Sequence, residues 1–412
     1  MLTGNAHVSR TVDEILTDIL SPAGRDHLGA LYAELHALGE VHRSRLLGRV
    51  VTSYRAANAV LRSSDAGRNR PDGRPMFPDI DEHPSRQLIG RTMLLVDPPH
   101  HGRLRRLVSK AFTPRAVAGL EPAIAELLTL HLDSFATRAA DGEVVDLMTE
   151  LAFRLPVAVI GRMLGVPAAE QPGFQDAVRA LNAVIEPNVH QDVLAVADTA
   201  ADDLEAYFID LVRERRARPG DDLTSALIAA RDDDDRLSED ELVSTLVQLF
   251  TAGFETTTNL IGNGMLALLE NPDELAKLRA DPSMMDSAVE EMLRYDSPVQ
   301  LSGRMSSADI PLPDDSTIPV NRFLLVLLGA ANQDPRVFTD PQRLILTRRE
   351  VAPLSFGGGI HYCLGAPLAR LEARMVFTEL LGRYETIELA GTPERQAFLT
   401  IWGLNRLPLR MR

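Results

Sequence analysis

The sequence predicts a mainly helical fold with a minor β component, built around one long central helix. Apolar residues recur at helical spacing through most of residues 116–231. A capping box at Ser238-Glu239-Asp240-Glu241 then precedes roughly thirty mostly apolar residues without a proline. Aromatic residues make up only 5% of the chain, and its apolar content rests on Leu, Ala and Val. We therefore expect the helix after Ser238 to run through the middle of the fold.

The other elements follow from local pattern. Residues 40–65 predict short strands followed by a helix, and residues 66–95, rich in Pro, Gly and charge, predict a long irregular loop. The acidic run at 232–235 predicts a solvated loop, and Pro272 opens the next helix. Residues 299–325 predict short strands and turns, and 331–362 an irregular stretch. Because no linker or repeat divides the chain, residues 1–412 are expected to form a single domain.

Composition excludes several classes of protein. The formal net charge is −15, whereas binding to nucleic acid needs a basic surface, so we expect no nucleic-acid partner. A single cysteine cannot form an internal disulfide, and a zinc site would need several Cys or His ligands. The first thirty residues resemble neither a signal peptide nor a membrane span. We therefore expect a cytoplasmic protein with no membrane partner.

The only cysteine, Cys363, lies in the stretch SFGGGIHYCLGAPLAR at 355–370. Glycines 357–359 would let the backbone approach a flat ligand closely. Pro367 suits the first turn of a helix, so Cys363 would precede a helix N-terminus, which favours thiolate over thiol. A lone buried cysteine is more often a small apolar filler.

The spacing of this loop resembles the haem-binding signature of the cytochrome P-450 superfamily of haem-thiolate monooxygenases. The matching residues are Phe356, Gly357, Gly359, His361, Cys363, Gly365, Leu368, Ala369 and Arg370. The resemblance implies a haem b cofactor with Cys363 as the axial thiolate on iron and His361 near a propionate. Thiolate ligation favours cleavage of the O–O bond.

A second motif lies inside the predicted central helix, at Ala252-Gly253-Phe254-Glu255-Thr256-Thr257. Taken alone, a glycine with two threonines could simply be a tight helix crossing. Threonine hydroxyls can also bond back to the i−4 carbonyl and loosen the helix. The motif resembles the superfamily's oxygen-activation motif, which implies that Glu255 and Thr256 are catalytic and deliver protons to bound O2.

A third motif is Glu291-x-x-Arg294. Such pairs usually decorate a helix surface and are worth tenths of a kcal/mol. The resemblance implies instead a buried structural network that includes a third arginine from the irregular region, for which Arg343 is the candidate.

The fourth motif, Asp97 to Arg106, places His101 and Arg105 four residues apart. A basic helix end is usually solvated, but the resemblance implies that both residues clamp the haem propionates, with Arg304 as a further partner. Arg103, Arg106 and Lys110 would then face outward, as a basic patch for an acidic electron donor.

The resemblance also implies where a substrate would lie. Its apolar wall would include Met93, Leu94, Ala252, Leu301 and Ile401. Gln248 lies about two helical turns before Thr256 and would either point into the pocket or bond to a neighbouring helix. A polar residue there would suit a hydrophobic, partly oxygenated small molecule, such as a polyketide or macrolide secondary metabolite.

These expectations define an oxidoreductase that inserts one atom of O2 into a C–H or C=C bond. Electrons from NAD(P)H would arrive through a separate ferredoxin and ferredoxin reductase. Two alternatives stay open on the residues alone. One is a non-catalytic haem carrier or sensor; the other is a hydrolase or transferase with Cys363 as nucleophile and His361 as base.

Overall fold

The computed structural model describes residues 10–230 and 236–412. Helices dominate it, and they bury apolar stripes against one another as the sequence predicts. The first eight are α1 (Val12–Leu20), α2 (Leu28–Leu38), α3 (Tyr54–Arg62), α4 (Pro84–Gly90), α5 (His100–Ser109), α6 (Pro114–Ala118), α7 (Glu121–Ala140) and α8 (Arg154–Leu164). The next eight are α9 (Gln175–Asn182), α10 (Gln191–Ala217), α11 (Leu223–Ala229), α12 (Glu239–Glu270), α13 (Pro272–Ala280), α14 (Met285–Tyr295), α15 (Leu328–Asn332) and α16 (Ala366–Arg383).

In the described part of the chain the strands are short and form four small sheets. They are β1 (Val41–Ser44), β2 (Gly48–Val51), β3 (Ala66–Gly67), β4 (Val145–Asp146), β5 (Leu301–Ser306), β6 (Ile310–Pro311), β7 (Thr317–Ile318), β8 (Phe323–Leu327), β9 (Ile387–Leu389), β10 (Glu394–Arg395), β11 (Leu404–Arg406) and β12 (Pro408–Met411). The largest sheet has the order β1-β2-β8-β5-β3, in which only β2 and β8 are parallel; a second has the order β4-β12-β9. The pairs β6-β7 and β10-β11 complete the β component.

The predicted central helix is confirmed as α12, the longest helix described. Its capping box is present: the Glu241 N–H donates to Ser238 Oγ at 3.2 Å, and the Ser238 N–H donates to Glu241 Oε2 at 2.9 Å. The helix is buried nearly all round and packs on α8, α10, α14 and α16. Small residues permit this packing, since a Cβ at Gly253 would lie 2.8 Å from Ile160 Cγ1. Gly253 therefore serves a tight helix crossing.

One of the two predicted loops contains regular secondary structure. Residues 66–95 are not irregular throughout: they contain β3, a 3-10 turn at Ile80–Glu82 and the short helix α4, which Pro84 begins at a favoured N-terminal position. The acidic run at 232–235 lies outside the described residues. In the part of the chain that is described, no helix is both long enough and apolar enough to cross a membrane.

Candidate functional site: a cavity between the cysteine loop and the central helix

A cavity of about 590 Å³ lies between α12, α5, β5 and the loop that ends at Cys363. The structure brings to its wall all five residues predicted to bind the cofactor: His101, Arg105, Arg304, His361 and Cys363. The six predicted substrate residues line it as well: Met93, Leu94, Gln248, Ala252, Leu301 and Ile401. The cavity is within the size range of cofactor and ligand pockets in proteins.

Backbone hydrogen bonds shape the loop before α16. The Cys363 N–H donates to the Phe356 carbonyl at 2.9 Å, and the Gly357 N–H donates to the Leu354 carbonyl at 2.8 Å. Gly357 and Gly359 have φ of 71° and 64°, which favours glycine. A side chain at Gly359 would also collide with the carbonyl of Leu61 at the end of α3. Gly359 thus serves the close approach of the loop to α3, whereas the sequence suggested approach to a flat ligand.

Burial raises the pKa of the Cys363 thiol, and the backbone N–H groups of Gly365 and Ala366 with the charge of Arg105 offset only part of that effect. Pro367 lies in the first turn of α16, as predicted. The N–H groups at this helix N-terminus thus favour the thiolate, as the sequence predicts, but burial of the thiol outweighs them. A coordinated metal cation is the group that would displace the thiol proton.

The aromatic and basic residues of the loop stabilise one another. The Arg370 guanidinium lies 4.4 Å from the centre of the Phe356 ring and forms an ion pair with Glu290. Its Nη1 donates to the Tyr362 hydroxyl at 3.2 Å. These contacts fix the start of α16 against α14, and so they fix the position of Cys363.

Basic residues line the cavity beside the cysteine loop. The rings of His101 and His361 lie edge to face, with centroids 4.4 Å apart. Arg105 donates from Nη1 to the Ile360 carbonyl at 3.0 Å and from Nη2 to the Tyr362 carbonyl at 2.8 Å. Arg304 donates from Nη1 to Ser302 Oγ at 2.7 Å, and burial lowers the pKa of Arg304 to about 10.

These residues fit a haem group. His101 Nε2, Arg304 Nε and His361 Nε2 are buried and have no hydrogen-bond partner within residues 10–230 and 236–412. Buried polar atoms normally have partners, so this wall lacks acceptors of the kind that the carboxylates of a ligand would supply. No cluster of three or more His, Cys, Asp or Glu side chains comes together as a metal site in the described part of the chain. A porphyrin-bound metal needs only the one thiolate that Cys363 offers.

A further cation of this wall, Arg68, has no counterpart among the sequence predictions. It follows β3, is 7% exposed and lines the cavity beside Arg304. Its Nη1 donates to the Gly303 carbonyl at 2.8 Å. A buried arginine in a loop carries no sequence signature, which is why the pattern of residues 66–95 did not reveal it.

The central helix contributes the motif around Thr256 to this cavity. Thr256 lines the cavity, and its Oγ1 donates to the Ala252 carbonyl at 3.1 Å. Thr257 Oγ1 bonds back to the Gly253 carbonyl at 3.4 Å in the same way. Both bonds are of the predicted i−4 type.

The Glu255 side chain does not line the main cavity. Its carboxyl group lines a second cavity of about 160 Å³, with Arg179 and Gln396. Gln396 Nε2 donates to Glu255 Oε1 at 3.0 Å, and Arg179 Nε lies 3.5 Å from the same oxygen. Burial raises the pKa of Glu255, and Arg179 and Gln396 partly oppose the shift. Ile401 lines both cavities, so only a thin wall separates them.

The predicted ionic network is present, but with a different third member. Arg294 is fully buried and binds Glu291 with two hydrogen bonds, at 2.7 and 2.8 Å. The third member is Arg348, whose Nε lies 3.0 Å from Glu291 Oε2 and whose side chain is 6% exposed. The choice of Arg343 was wrong: its side chain is 73% exposed and pairs with Asp340. Only the carbonyl of Arg343 joins the network, accepting from Arg294 Nη2 at 2.9 Å.

The substrate side of the cavity is mostly apolar. Met93 and Leu301 are buried in its wall, and Leu94, Ala252 and Ile401 are partly covered or exposed toward it. Gln248 is a polar residue of α12 in this wall. Its Oε1 is buried without a hydrogen-bond partner among the residues that the structure describes.

The basic patch on α5 is smaller than predicted. Arg106 and Lys110 are exposed. Arg103 does not face outward freely, because it forms an ion pair with Glu241 in the first turn of α12. His100 contacts the same carboxylate at 3.2 Å.

The cytochrome P-450 family model matches residues 24–407 of the chain. The 6-deoxyerythronolide B hydroxylase of Saccharopolyspora erythraea is 38% identical over 393 residues, which is 92% of this chain and 95% of the relative. The vitamin D(3) 25-hydroxylase of Pseudonocardia autotrophica is 43% identical over 331 residues, 77% of each chain. Ligand-free CYP164A2 of Mycobacterium smegmatis, a solved structure, superposes with a TM-score of 0.87 at 37% identity and covers 97% of this chain and 100% of its own.

Proposed function

The chain belongs to the cytochrome P-450 family and is a haem-dependent monooxygenase, in which Cys363 would supply the thiolate ligand. On that premise we propose that its substrate is a hydrophobic, partly oxygenated small molecule. Membership of this family excludes the cysteine-hydrolase and haem-carrier alternatives. When bound, thiolate-ligated haem supplies the activation of O2. The residues of the chain hold the cofactor, position the substrate and move protons.

The observation that carries the substrate proposal is the Gln248 amide. Its Oε1 is buried in the cavity wall and has no hydrogen-bond partner in the described part of the chain. An unpaired buried acceptor costs about 1–3 kcal/mol. A hydroxyl on the substrate would relieve that cost once the Gln248 side chain turns its amide oxygen into the cavity. Met93 and Leu301 supply apolar contact beside it. A secondary metabolite of the polyketide or macrolide type combines both properties, and one relative is named as a hydroxylase of 6-deoxyerythronolide B.

The cofactor would be held by contacts on two sides. Cys363 would ligate the iron from the loop before α16. His101, Arg105, Arg304 and His361 would bind the propionates, because their donors converge on the same cavity. We propose that residues 1–412 form a single haem-binding domain, since the family model matches residues 24–407.

Thr256 and Glu255 would act in sequence as proton carriers. Burial raises the pKa of Glu255, so its carboxyl group can hold a proton closer to neutral pH than a solvated one. Thr256 exposes its hydroxyl to the main cavity and would pass the proton on. Because Glu255 faces the second cavity, the transfer requires a rotation of its side chain or a bridging water.

Electrons would come from a separate ferredoxin and an NAD(P)H-dependent reductase. An iron–sulfur cluster needs several cysteines, and this sequence has one. The exposed Arg106 lies on the helix that carries Arg105, and the exposed Lys110 directly follows the end of that helix, so both are suited to dock an acidic donor close to the cofactor. We further propose that the enzyme works in the cytoplasm.

The experiment that tests the substrate proposal is a spin-state titration. Candidate metabolites of graded oxygen content are added to the ferric enzyme, and the low-to-high-spin change is followed for wild type, Gln248→Leu and a control, Gln333→Leu. Gln333 also has a buried Oε1 without a partner among the described residues, but it does not line the cavity. Gln248→Leu should weaken binding of oxygenated ligands about tenfold. Equal affinities for Gln248→Leu and wild type would contradict the proposal.

A further inference from the structure

The cationic wall of the main cavity includes Arg68, whose guanidinium is as deeply buried as that of Arg304. Nε of Arg68 and Nε of Arg304 both have no hydrogen-bond partner in residues 10–230 and 236–412. A buried guanidinium normally satisfies its planar set of donors with an anion. Both side chains line the same cavity, so the two incompletely paired guanidinium groups lie in one region of its wall.

Hydrogen bonds between Asp97 and the backbone of the segment around Arg68 fix the position of this residue. Asp97 accepts hydrogen bonds from the backbone N–H of Arg68 at 2.8 Å and of Asn69 at 2.8 Å, and from Asn69 Nδ2 at 3.1 Å. A Cβ at Gly67 would lie 3.0 Å from the Asp97 carboxylate, so glycine is needed for this approach. Antiparallel pairing of Gly67 with Met305 joins the segment to β5, the strand that carries Arg304. The sequence thus builds a rigid support for this side chain.

The positive charges of this wall are not fully neutralised by carboxylates in the described part of the chain. Arg68, Arg105 and Arg304 line the cavity, and their charges all act on His361. The one carboxylate that acts on Arg68 and Arg304 in the described part of the chain is Asp97. Three positive charges less one negative charge leave an excess of two. A ligand with two carboxylates would neutralise that excess, and haem carries two propionates.

We propose that Arg68 is a haem-binding residue, which pairs with a propionate carboxylate beside Arg304 and so retains the cofactor and raises its reduction potential. A positive charge near the propionates favours the ferrous state, because reduction adds a negative charge to the cofactor. Burial makes the effect large, since the charge is little screened by water. The bond of Nη1 to the Gly303 carbonyl leaves Nε and Nη2 for the carboxylate.

The test compares holoenzyme variants that separate charge from packing. Arg68→Gln keeps an N–H donor for the Gly303 carbonyl but removes the charge, and Arg68→Lys keeps the charge. The control is Arg74→Leu, an exposed arginine of the same loop that pairs with Asp72. Two quantities are measured: the rate of haem transfer to excess apomyoglobin and the ferric–ferrous midpoint potential.

Arg68→Gln should lose haem about tenfold faster than wild type and should have a lower midpoint potential, because one charge-assisted hydrogen bond is lost. Arg68→Lys should keep most of the potential, and Arg74→Leu should match wild type in both measurements. A purely structural role would accelerate haem loss in Arg68→Gln with an unchanged potential, and that outcome overturns the proposal. Wild-type values for Arg68→Gln in both measurements would overturn it equally.

Discussion

Gln396, at the end of strand β10, donates a hydrogen bond of 3.0 Å to the buried carboxyl group of Glu255 in the middle of α12. The same amide nitrogen donates to Asn259 Oδ1 at 3.1 Å, one helical turn further along. A residue near the C-terminus thus fixes the orientation of the acid that we propose as a proton carrier. Removing the Gln396 amide should therefore change the pKa of Glu255.

Gln396→Leu should move the alkaline limb of the rate–pH profile upward by about one pH unit. Burial raises the pKa of Glu255 and the amide donor opposes that shift, so loss of the donor lets the pKa rise further. The protonated form, which delivers the proton, then persists to higher pH. Product formation against pH is the measurement, and Asn405→Ala, also in the second cavity, is the control. Superimposable profiles for Gln396→Leu and wild type would exclude this role.

Substitution of Arg348 and substitution of Arg343 should have different effects on stability, because the Arg348 side chain pairs with Glu291 and the Arg343 side chain does not. Arg348→Leu should lower the free energy of unfolding by about 3–5 kcal/mol, because it leaves Glu291 with one cationic partner fewer in a buried site. Arg343→Leu should change it by less than about 0.5 kcal/mol, since an exposed ion pair contributes little. Denaturant unfolding followed by circular dichroism measures both. Similar losses for the two variants would contradict the assignment of Arg348 to the buried network.

Thr256→Ala should uncouple electron transfer from product formation. The variant loses the one hydroxyl of the Glu255–Thr256 pair that lines the main cavity, so protons reach the reacting oxygen less selectively and hydrogen peroxide leaks. The ratio of peroxide formed to NAD(P)H consumed should rise several-fold, while the substrate-induced spin change stays near that of wild type. Thr258→Ala, two residues away on α12, is the matched control. Full product yield from Thr256→Ala would remove this hydroxyl from the mechanism.

Glu372 on α16 should make stability depend on pH. Burial raises the pKa of Glu372 to about 8 in the folded protein, from an ordinary value of 4.5. The protonated, folded form is therefore favoured at low pH, and stability is lost as pH rises from about 4.5 towards 8. Glu372→Gln should lose less stability over that range and exceed wild type by about 3 kcal/mol near pH 8. Unfolding at pH 5 and pH 8, with the exposed Glu379→Gln as control, provides the measurement; parallel pH dependences for Glu372→Gln and wild type would contradict it.

The parts of the fold and site that the sequence predicts well are those encoded by neighbouring residues. The capping box and the apolar run of α12 are contiguous, and so are Cys363 and its loop. His101 and Arg105 lie on one turn of α5, so their spacing alone places them together. Local propensity and periodicity decide such features before any long-range packing.

The residues that the sequence did not reveal come from distant, aperiodic segments. Arg348 and Arg343 lie in the same irregular stretch, and only the path of that backbone decides which side chain turns inward to Glu291. Arg68 is buried because β3 pairs with a strand more than 230 residues later. Gln396 reaches Glu255 across 141 positions. No periodic pattern specifies contacts of this kind.

The contact between Gly359 and the end of α3 links cofactor retention to the first sixty residues of the chain. Leu61 packs against the loop that carries Cys363. A displacement of α3 should therefore weaken haem binding while α12 and its neighbours stay folded. Loss of haem and global unfolding should thus be separate events in this protein. On heating, the loss of colour should come first.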